Sequence, residues 1–282
     1  MRQLSLCQED VLSLLPDRNV NSDKRDFGKV LLLCGSKGYT GAAALAALGA
    51  LRTGAGLVFL GVPESIYGIE AVKLLEPVVF PLADRDGMLS SRCIGEVTGR
   101  LPHMDAVLIG PGLGRSAEVR EVVCSVIRSC RGPVVLDADG INALSEHRDI
   151  LRGRTAPTVL TPHMREFARI GGSDTGDRIA DAVALAKDLG VIVLLKGHET
   201  VITDGSTVYL NKTGNPGMAV GGTGDILSGM IVSLLGQGIP PLEAAACSAW
   251  LHGRAGDICA ETIGQYGMLP SDMLTVLPRL MK

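Results

Sequence analysis

The segment that decides the fold is Asn215-Pro-Gly-Met-Ala-Val-Gly-Gly-Thr-Gly-Asp225, which continues directly into the apolar run 226–235. Its four glycines let the backbone turn tightly and approach a ligand closely, because glycine has no Cβ. The apolar run predicts a mostly buried helix that begins at this segment. A helix start offers unpaired backbone N–H groups and a partial positive charge, so the segment predicts an anion-binding site.

Asp225 lies beside this predicted anion site, in the first turn of the helix. The helix dipole favours a carboxylate there, and such a carboxylate can take a proton from a hydroxyl held next to a phosphate. We therefore predict that Asp225 is a catalytic base. The simpler alternative is that Asp225 caps the helix and the glycines only form a turn. The segment is not a Walker A loop, because no Gly-Lys-Ser/Thr follows at the required spacing.

Composition narrows the class of protein. The chain has 282 residues, 46% of them apolar, and a net charge of −3, which allows one large α/β domain or two modest ones. Aromatic residues make up 3% of the chain and no basic block is present, so we expect no nucleic-acid partner. Seven cysteines without Cys-x-x-Cys or zinc-type spacing predict reduced thiols in a cytoplasmic protein. The first ten residues do not resemble a signal peptide, and no apolar run reaches the roughly 18 residues of a membrane span, so we expect no membrane partner.

Short apolar runs alternate with amphipathic stretches along the chain. This alternation predicts an α/β protein with a parallel sheet and helices on both of its faces. With no repeat, low-complexity tract or linker, we expect one domain over residues 1–282. The clearest predicted elements are strands Lys29–Cys34 and Val191–Lys196, helix Asp177–Leu189, and a hairpin turn at Asp204-Gly205.

Polar and glycine-rich clusters follow the predicted strands at their C-terminal ends. These ends meet at one edge of a parallel sheet, where ligands bind in open α/β folds, so the clusters predict one extended site. The clusters are Gly35–Gly41, Pro111–Gly114, Asp137–Asp139, Pro162-His163 and Lys196–Thr200.

Several of these clusters allow two interpretations. The glycines of the first lack dinucleotide-binding spacing, and they predict either a substrate against a helix start or close helix–sheet packing. Lys196 is a phosphate contact or a surface charge. Asp137 and Asp139 either position magnesium through water or cap the following helix, and His163 is either a ligand contact or a capping or core residue.

The Gly-Thr-Gly-Asp segment resembles the signature of the ribokinase-like small-molecule kinases, and the complete motif set resembles the ADP-dependent (S)-NAD(P)H-hydrate dehydratases. This resemblance spans nearly all of residues 1–282, with Cys34 where Gly is common and Val220 where Thr is common. It implies a ribokinase-like three-layer α/β/α fold with a mostly parallel central sheet, and no epimerase domain is expected. The motifs that carry it are Phe27–Val30, Gly35–Ala43, Gly110–Gly114, Leu136–Leu144, Leu160–His163, Leu195–Thr200 and Asn215–Gly229.

The resemblance implies that the S epimer of hydrated NADH or NADPH is dehydrated back to NAD(P)H at the expense of ADP, giving AMP and phosphate. It also implies Mg²⁺, no dedicated protein metal ligand, and a homo-oligomer, as a homotetramer. Asp225 is the implied base. The implied hydrate contacts are Ala42, Ala43, Gly112, Gly114, His163 and Asp225. The implied nucleotide contacts are Lys196, Gly197, His198, Glu199, Thr200, Gly222, Thr223 and Gly224.

Two other functions remain open at this point. Another ribokinase-like kinase, such as a hydroxymethylpyrimidine or hydroxyethylthiazole kinase, would share Gly-Thr-Gly-Asp but lack the Gly35–Ala43 and Pro162-His163 loops as written. A nucleotide-binding sensor that has lost catalysis is the second alternative, and an intact Asp225 argues against it. The choice of ADP over ATP rests on the resemblance alone, and the preference between the two hydrates stays open.

Overall fold

A computed structural model describes residues 2–282, and over this range the chain forms a ten-stranded sheet and a separate two-stranded hairpin. The strands are β1 (Arg2–Leu4), β2 (Lys29–Leu33), β3 (Leu57–Pro63), β4 (Val78–Leu82), β5 (Asp84–Arg85), β6 (Met88–Leu89), β7 (Ala106–Ile109), β8 (Val134–Leu136), β9 (Thr158–Leu160), β10 (Ile192–Leu195), β11 (Thr200–Thr203) and β12 (Thr207–Asn211).

The strand order in the large sheet is β1-β12-β11-β10-β9-β8-β7-β2-β3-β4. β11 runs antiparallel to both neighbours, and the other neighbouring strands are parallel, with Val30 opposite Ala106 and Val58. The mostly parallel sheet is therefore confirmed, as is the hairpin turn, where Asp204 Oδ1 accepts the N–H of Thr207 at 2.8 Å. Strand β3 lies on one side of β2, and β7, which comes later in the chain, lies on the other side. The direction in which strands are added to the sheet therefore reverses at β2. Ligands bind at such a reversal.

Helices cover both faces of the sheet, and side chains alternate between two cores. Val30 and Leu32 pack with the helices within residues 8–73 and 223–280, whereas Leu31 and Leu33 pack with the helices within residues 94–189, which confirms the three-layer α/β/α architecture. No helix within residues 2–282 is both long and apolar enough to cross a membrane. The helices are α1 (Gln8–Leu14), α2 (Thr40–Arg52), α3 (Glu64–Lys73), α4 (Ile94–Arg100), α5 (Ala117–Ser129), α6 (Asp139–Ala143), α7 (Asp149–Arg152), α8 (Met164–Arg169), α9 (Arg178–Leu189), α10 (Thr223–Gly236), α11 (Pro241–Thr262) and α12 (Pro270–Leu280).

Helices α2 and α10 lie backbone against backbone. A Cβ on Gly49 would come within 2.6 Å of the Ile226 carbonyl oxygen, and a Cβ on Gly229 would come within 2.1 Å of the Ala46 carbonyl oxygen. Real Cβ atoms do not approach backbone this closely, so both positions need glycine. The contact fixes the start of α10 relative to the start of α2.

We expect Gly229→Ala to lower the free energy of unfolding by ~1–3 kcal/mol, because the added methyl group forces two helix backbones apart. Gly68→Ala is the matched control, since Gly68 lies in exposed α3 with open space around it, and it should gain ~0.5–1 kcal/mol. Urea denaturation of both variants measures the difference. Equal stability of the two variants would contradict the backbone contact.

Candidate active site

The start of α10 is shaped by Gly222, which has φ +100° and is the N-cap residue. Asp225 is therefore the third helical residue, and the alternative in which Asp225 caps the helix is wrong. A Cβ on Gly222 would lie 2.5 Å from Leu45 Cδ1, so the turn also packs on α2. At Gly224 a Cβ would lie 3.5 Å from Lys196 Nζ, which places that ammonium group beside the first turn of α10.

The Asp225 carboxyl group is largely buried, and its environment makes it more basic than an ordinary aspartate. Burial is the main cause, the charge of Asp137 adds to it, and Lys196 partly opposes both, so the pKa of Asp225 is raised to about 6. A carboxylate whose pKa lies near the working pH is an effective general base. Cys34, fully buried at the end of β2, stays a neutral thiol because burial and then Asp225 raise its pKa.

Lys196 follows β10 and is held in an ion pair. Its Nζ donates to Asp137 Oδ1 at 2.9 Å and lies 3.9 Å from Glu166 Oε2, and Asp137 is only 2% exposed. Burial alone would lower the pKa of Lys196, but the two carboxylates outweigh it and the pKa is raised. Lys196 is thus a charged, mostly buried ammonium group at the reacting edge, not a surface charge.

His163 uses one ring nitrogen to cap α8. Nδ1 accepts the N–H of Arg165 at 3.0 Å and of Glu166 at 3.3 Å, while Glu166 Oε2 accepts the N–H of His163 at 3.0 Å. The capping interpretation is therefore correct, but it leaves Nε2 on a side chain that is 49% exposed, 3.4 Å from Glu166 Oε1. A ligand can still reach this nitrogen.

Asp137 and Asp139 face different partners across Ala138, whose φ of +48° is unusual for a residue with a side chain. Asp139 accepts the N–H of Gly114 at 3.0 Å and Nε of Arg115 at 3.1 Å. It therefore anchors the loop after β7, and neither of the two roles considered for it from the sequence describes these contacts.

The loops after β2 and β7 touch each other. Gly112 has φ +62°, and a Cβ there would lie 2.8 Å from the Ala42 methyl group. Ala42 is partly exposed in the first turn of α2, whereas Ala43 is fully buried against Gly35. Of the two alanines, Ala42 thus has a side chain that a ligand can touch.

The glycines of the first cluster differ in their surroundings: the packing interpretation is correct for Gly35, and the ligand interpretation stays a prediction for the others. A Cβ on Gly35 would lie 2.8 Å from the Ala43 methyl group, so this glycine serves close packing. Gly38 and Gly41 have open space around them, as a ligand approach would need.

The segment 197–200 lies at the exposed end of β10 and is braced by Arg178, the first residue of α9. The Arg178 guanidinium donates to the carbonyl oxygens of Leu195 at 3.1 Å and Lys196 at 3.2 Å, and it also reaches those of His198 and Glu199. Thr200 Oγ1 closes the turn by donating to Gly197 O at 2.9 Å. These hydrogen bonds therefore give the predicted nucleotide loop a defined shape.

Sequence reasoning missed three residues that shape the site: Glu166, Arg178 and His252. Glu166 had a local signal, since His-x-x-Glu at a helix start fits a capping box. His252 is buried, with Nε2 donating to the Thr223 carbonyl oxygen at 2.9 Å. Burial lowers the pKa of His252 to about 4, so a neutral ring holds the first turn of α10.

The chain matches the family model described as NAD(P)H-hydrate dehydratase over residues 30–279. The chain belongs to this family. It is 42% identical over 277 residues to the bifunctional NAD(P)H-hydrate repair enzyme Nnr of Moorella thermoacetica, which covers 96% of this chain and 52% of that protein. The chain thus spans about half the length of such bifunctional relatives.

Two further family members match over most of their length. The ADP-dependent (S)-NAD(P)H-hydrate dehydratase of Neisseria meningitidis serogroup B is 36% identical over 88% of this chain and 82% of its own. The crystal structure of the ADP/ATP-dependent NAD(P)H-hydrate dehydratase of Bacillus subtilis, co-crystallised with ATP and Mg²⁺, is 33% identical with a TM-score of 0.84, covering 97% of this chain and 96% of that one. The ribokinase-like fold implied by the sequence is confirmed.

The raised pKa of Asp225 predicts a pH-dependent stability. Because the folded-state pKa of about 6 lies above the unfolded value near 3.8, the folded protein holds this proton more tightly. We expect the free energy of unfolding of the wild type, relative to Asp225→Asn, to fall as pH rises from about 4 to about 6 and then level off. Urea denaturation of both proteins between pH 4 and 8 gives this difference. A difference that does not change with pH would show that folding does not raise the pKa of Asp225.

Proposed function

We propose that the protein catalyses the ADP-dependent dehydration of the S epimer of hydrated NADH or NADPH, yielding NAD(P)H, AMP and phosphate. The observation that carries the proposal is Asp225, a largely buried carboxylate with a pKa of about 6 in the first turn of α10, with Lys196 beside it. Family membership supports the substrate, and the names of the relatives support ADP as the phosphoryl donor.

The proposed chemistry turns a poor leaving group into a good one. Asp225 takes the proton of the ring hydroxyl while the hydroxyl oxygen attacks the terminal phosphorus of ADP, and the bond from that phosphorus to the AMP oxygen breaks. Backbone N–H groups at the start of α10 and the Lys196 ammonium stabilise the charge on the transferred group. Phosphate then leaves with its bonding electrons, and loss of a ring proton restores the conjugated dihydropyridine.

The two substrates are assigned to different loops around this centre. Ala42, Gly112, Gly114 and Nε2 of His163 border the hydrate, since Ala42 in the first turn of α2 touches Gly112 in the loop after β7. The nucleotide takes the loop of Lys196, Gly197, His198, Glu199 and Thr200, together with Gly222, Thr223 and Gly224 at the start of α10.

We infer that Mg²⁺ enters with the nucleotide. No group of three or more His, Cys, Asp or Glu side chains within residues 2–282 could hold a metal ion, and Asp137 and Glu166 both face Lys196. This donor set suits an ion that keeps its waters and binds mainly to phosphates, with Asp137 and Glu166 reaching it through water. The ion supplies charge neutralisation on those phosphates when bound.

The homo-oligomer implied by the resemblance stays a prediction. Exposed apolar side chains lie on α3, on edge strand β4 and in the loop between them. They offer a surface to which a second copy can bind. These side chains are Ile69, Val72, Leu75 and Val78. Light scattering of the purified protein gives the number of copies.

Incubation of the wild type with the hydrate and ADP, or with ATP in its place, should restore the absorbance of reduced nicotinamide. We expect Asp225→Asn to lower this turnover by roughly 10²-fold or more, the scale of losing a general base, while its ADP affinity stays close to that of the wild type. Gly224→Ala is the control: its methyl group fits the fold but crowds phosphate, so ADP affinity should fall.

Two outcomes would refute the assignment. Folded wild-type protein that restores no NADH from the hydrate with either nucleotide would exclude the dehydratase and return attention to the other ribokinase-like kinases. An Asp225→Asn variant that turns over at nearly the wild-type rate would remove Asp225 as the base.

For His163, the informative change is His163→Asn. Asparagine is a good N-cap residue, so the variant keeps the start of α8 but loses the exposed Nε2. We expect an unchanged melting temperature and ADP affinity but a KM for the hydrate raised by about tenfold, the scale of one lost hydrogen bond to a charged or well-placed partner. A hydrate KM equal to that of the wild type would limit His163 to capping.

A further inference from the structure

A cleft of about 290 Å³ lies between the start of α5 and α6, outside the reacting edge described above. Gly114, a proposed hydrate contact, forms part of its wall, so the cleft and the proposed hydrate site share this residue. The charged and amide side chains that line the cleft include Arg120 of α5, Asn142 of α6, and Arg115 and Glu146 in the adjoining loops. None of these four has a role in the proposed reaction.

The size and position of the cleft suit one half of a dinucleotide. Only the hydrated ring has to reach Asp225, so the adenosine and its phosphates must lie elsewhere along the sheet edge. Ala138 separates the reacting edge, where Asp137 holds Lys196, from the cleft, where Asp139 faces Gly114 and Arg115. A volume near the lower limit of ligand pockets, roughly 300 Å³, accommodates a nucleotide half and not a whole dinucleotide.

The two arginines of the cleft differ in how firmly they are held. Asp139 Oδ1 accepts Nε of Arg115 at 3.1 Å and so orients this side chain, which is 63% exposed, beside the hydrate loop. Arg120 Nη1 lies 3.8 Å from Glu146 Oε2, and the Glu146 side chain is 78% exposed. An exposed ion pair at this distance contributes little to stability, so Arg120 can leave Glu146 for a partner that binds it more strongly. A phosphate is that partner, because guanidinium groups bind phosphate oxygens through two parallel hydrogen bonds.

We propose that this cleft binds the adenylate half of the hydrated dinucleotide, that Arg115 contacts its pyrophosphate, and that Arg120 contacts the 2′-phosphate that distinguishes NADPH hydrate from NADH hydrate. The assignment rests on the proposed dehydratase function. It makes Arg120 a specificity-determining residue and predicts that the wild type prefers the phosphorylated hydrate.

The test compares kcat/KM for the two hydrates, with ADP, in the wild type and three variants. Arg120→Gln should lower kcat/KM for NADPH hydrate by about tenfold or more, through KM, because a hydrogen bond to a charged group is lost. Its kcat/KM for NADH hydrate should change by less than about threefold. Arg115→Gln should lower both values together. Arg128→Gln, at the exposed far end of α5, is the matched control and should change neither.

An unchanged ratio of the two kcat/KM values in Arg120→Gln would overturn the assignment, as would an equal effect of Arg128→Gln. A second measurement keeps this outcome distinct from failure of the proposed function. Adenosine 2′,5′-bisphosphate should bind the wild type in the presence of saturating ADP, and Arg120→Gln should weaken that binding by about tenfold, whether or not the hydrates are turned over. Equal binding by both proteins in calorimetry would reject the cleft.

Discussion

The site depends first on the backbone contact between α2 and α10. Glycines at positions 49 and 229 bring the two helices close enough that the start of α10 packs on Leu45 of α2, one turn from Ala42, which touches the loop after β7 at Gly112. Larger residues at either glycine would separate the helices and move Asp225 away from both loops. Because protein interiors are close-packed, such a displacement cannot be absorbed locally. A packing constraint in the core therefore sets the distance between the groups that meet the substrates.

The electrostatics of the edge follow from which carboxylate pairs with Lys196. A lysine paired with Asp225 would stabilise its charged form and lower its pKa, and a more acidic carboxylate is a weaker base. Asp137 binds the ammonium group instead, and the pKa of Asp225 stays raised. Removing either member of such a buried pair leaves an uncompensated charge, which is strongly destabilising. The Asp137–Lys196 pair thus keeps a positive charge at the proposed phosphate site while the pKa of Asp225 stays suited to its proposed role as a base.

The sequence predicted those elements of the fold that have a clear pattern of apolar residues or glycines. The apolar run at 29–34 became β2, the amphipathic stretch at 177–189 became α9, and the glycine segment before Asp225 became the start of α10. Strand β1 and the β5–β6 hairpin were missed, because Arg2–Leu4 and Asp84–Leu89 contain no run of more than two apolar residues. Arg178 and His252 were missed for another reason. Each donates to a backbone carbonyl oxygen that is distant in the sequence. Every residue type has such a carbonyl, so the sequence gives no signal for the contact.

The observed contacts of Asp139 and Arg178, which the sequence did not predict, hold loops and perform no chemistry. Asp139 fixes the N–H of Gly114, and Arg178 binds several carbonyl oxygens around the loop after β10, where Glu199 has the strained φ of +54°. A loop that is already ordered loses less conformational entropy when a ligand binds. In the proposed reaction, such a loop presents its dipoles to the transferring phosphoryl group without reorganising, which is the main source of electrostatic catalysis. The proposed chemistry therefore depends on a few recognisable residues whose effectiveness is set by neighbours that only the three-dimensional structure reveals.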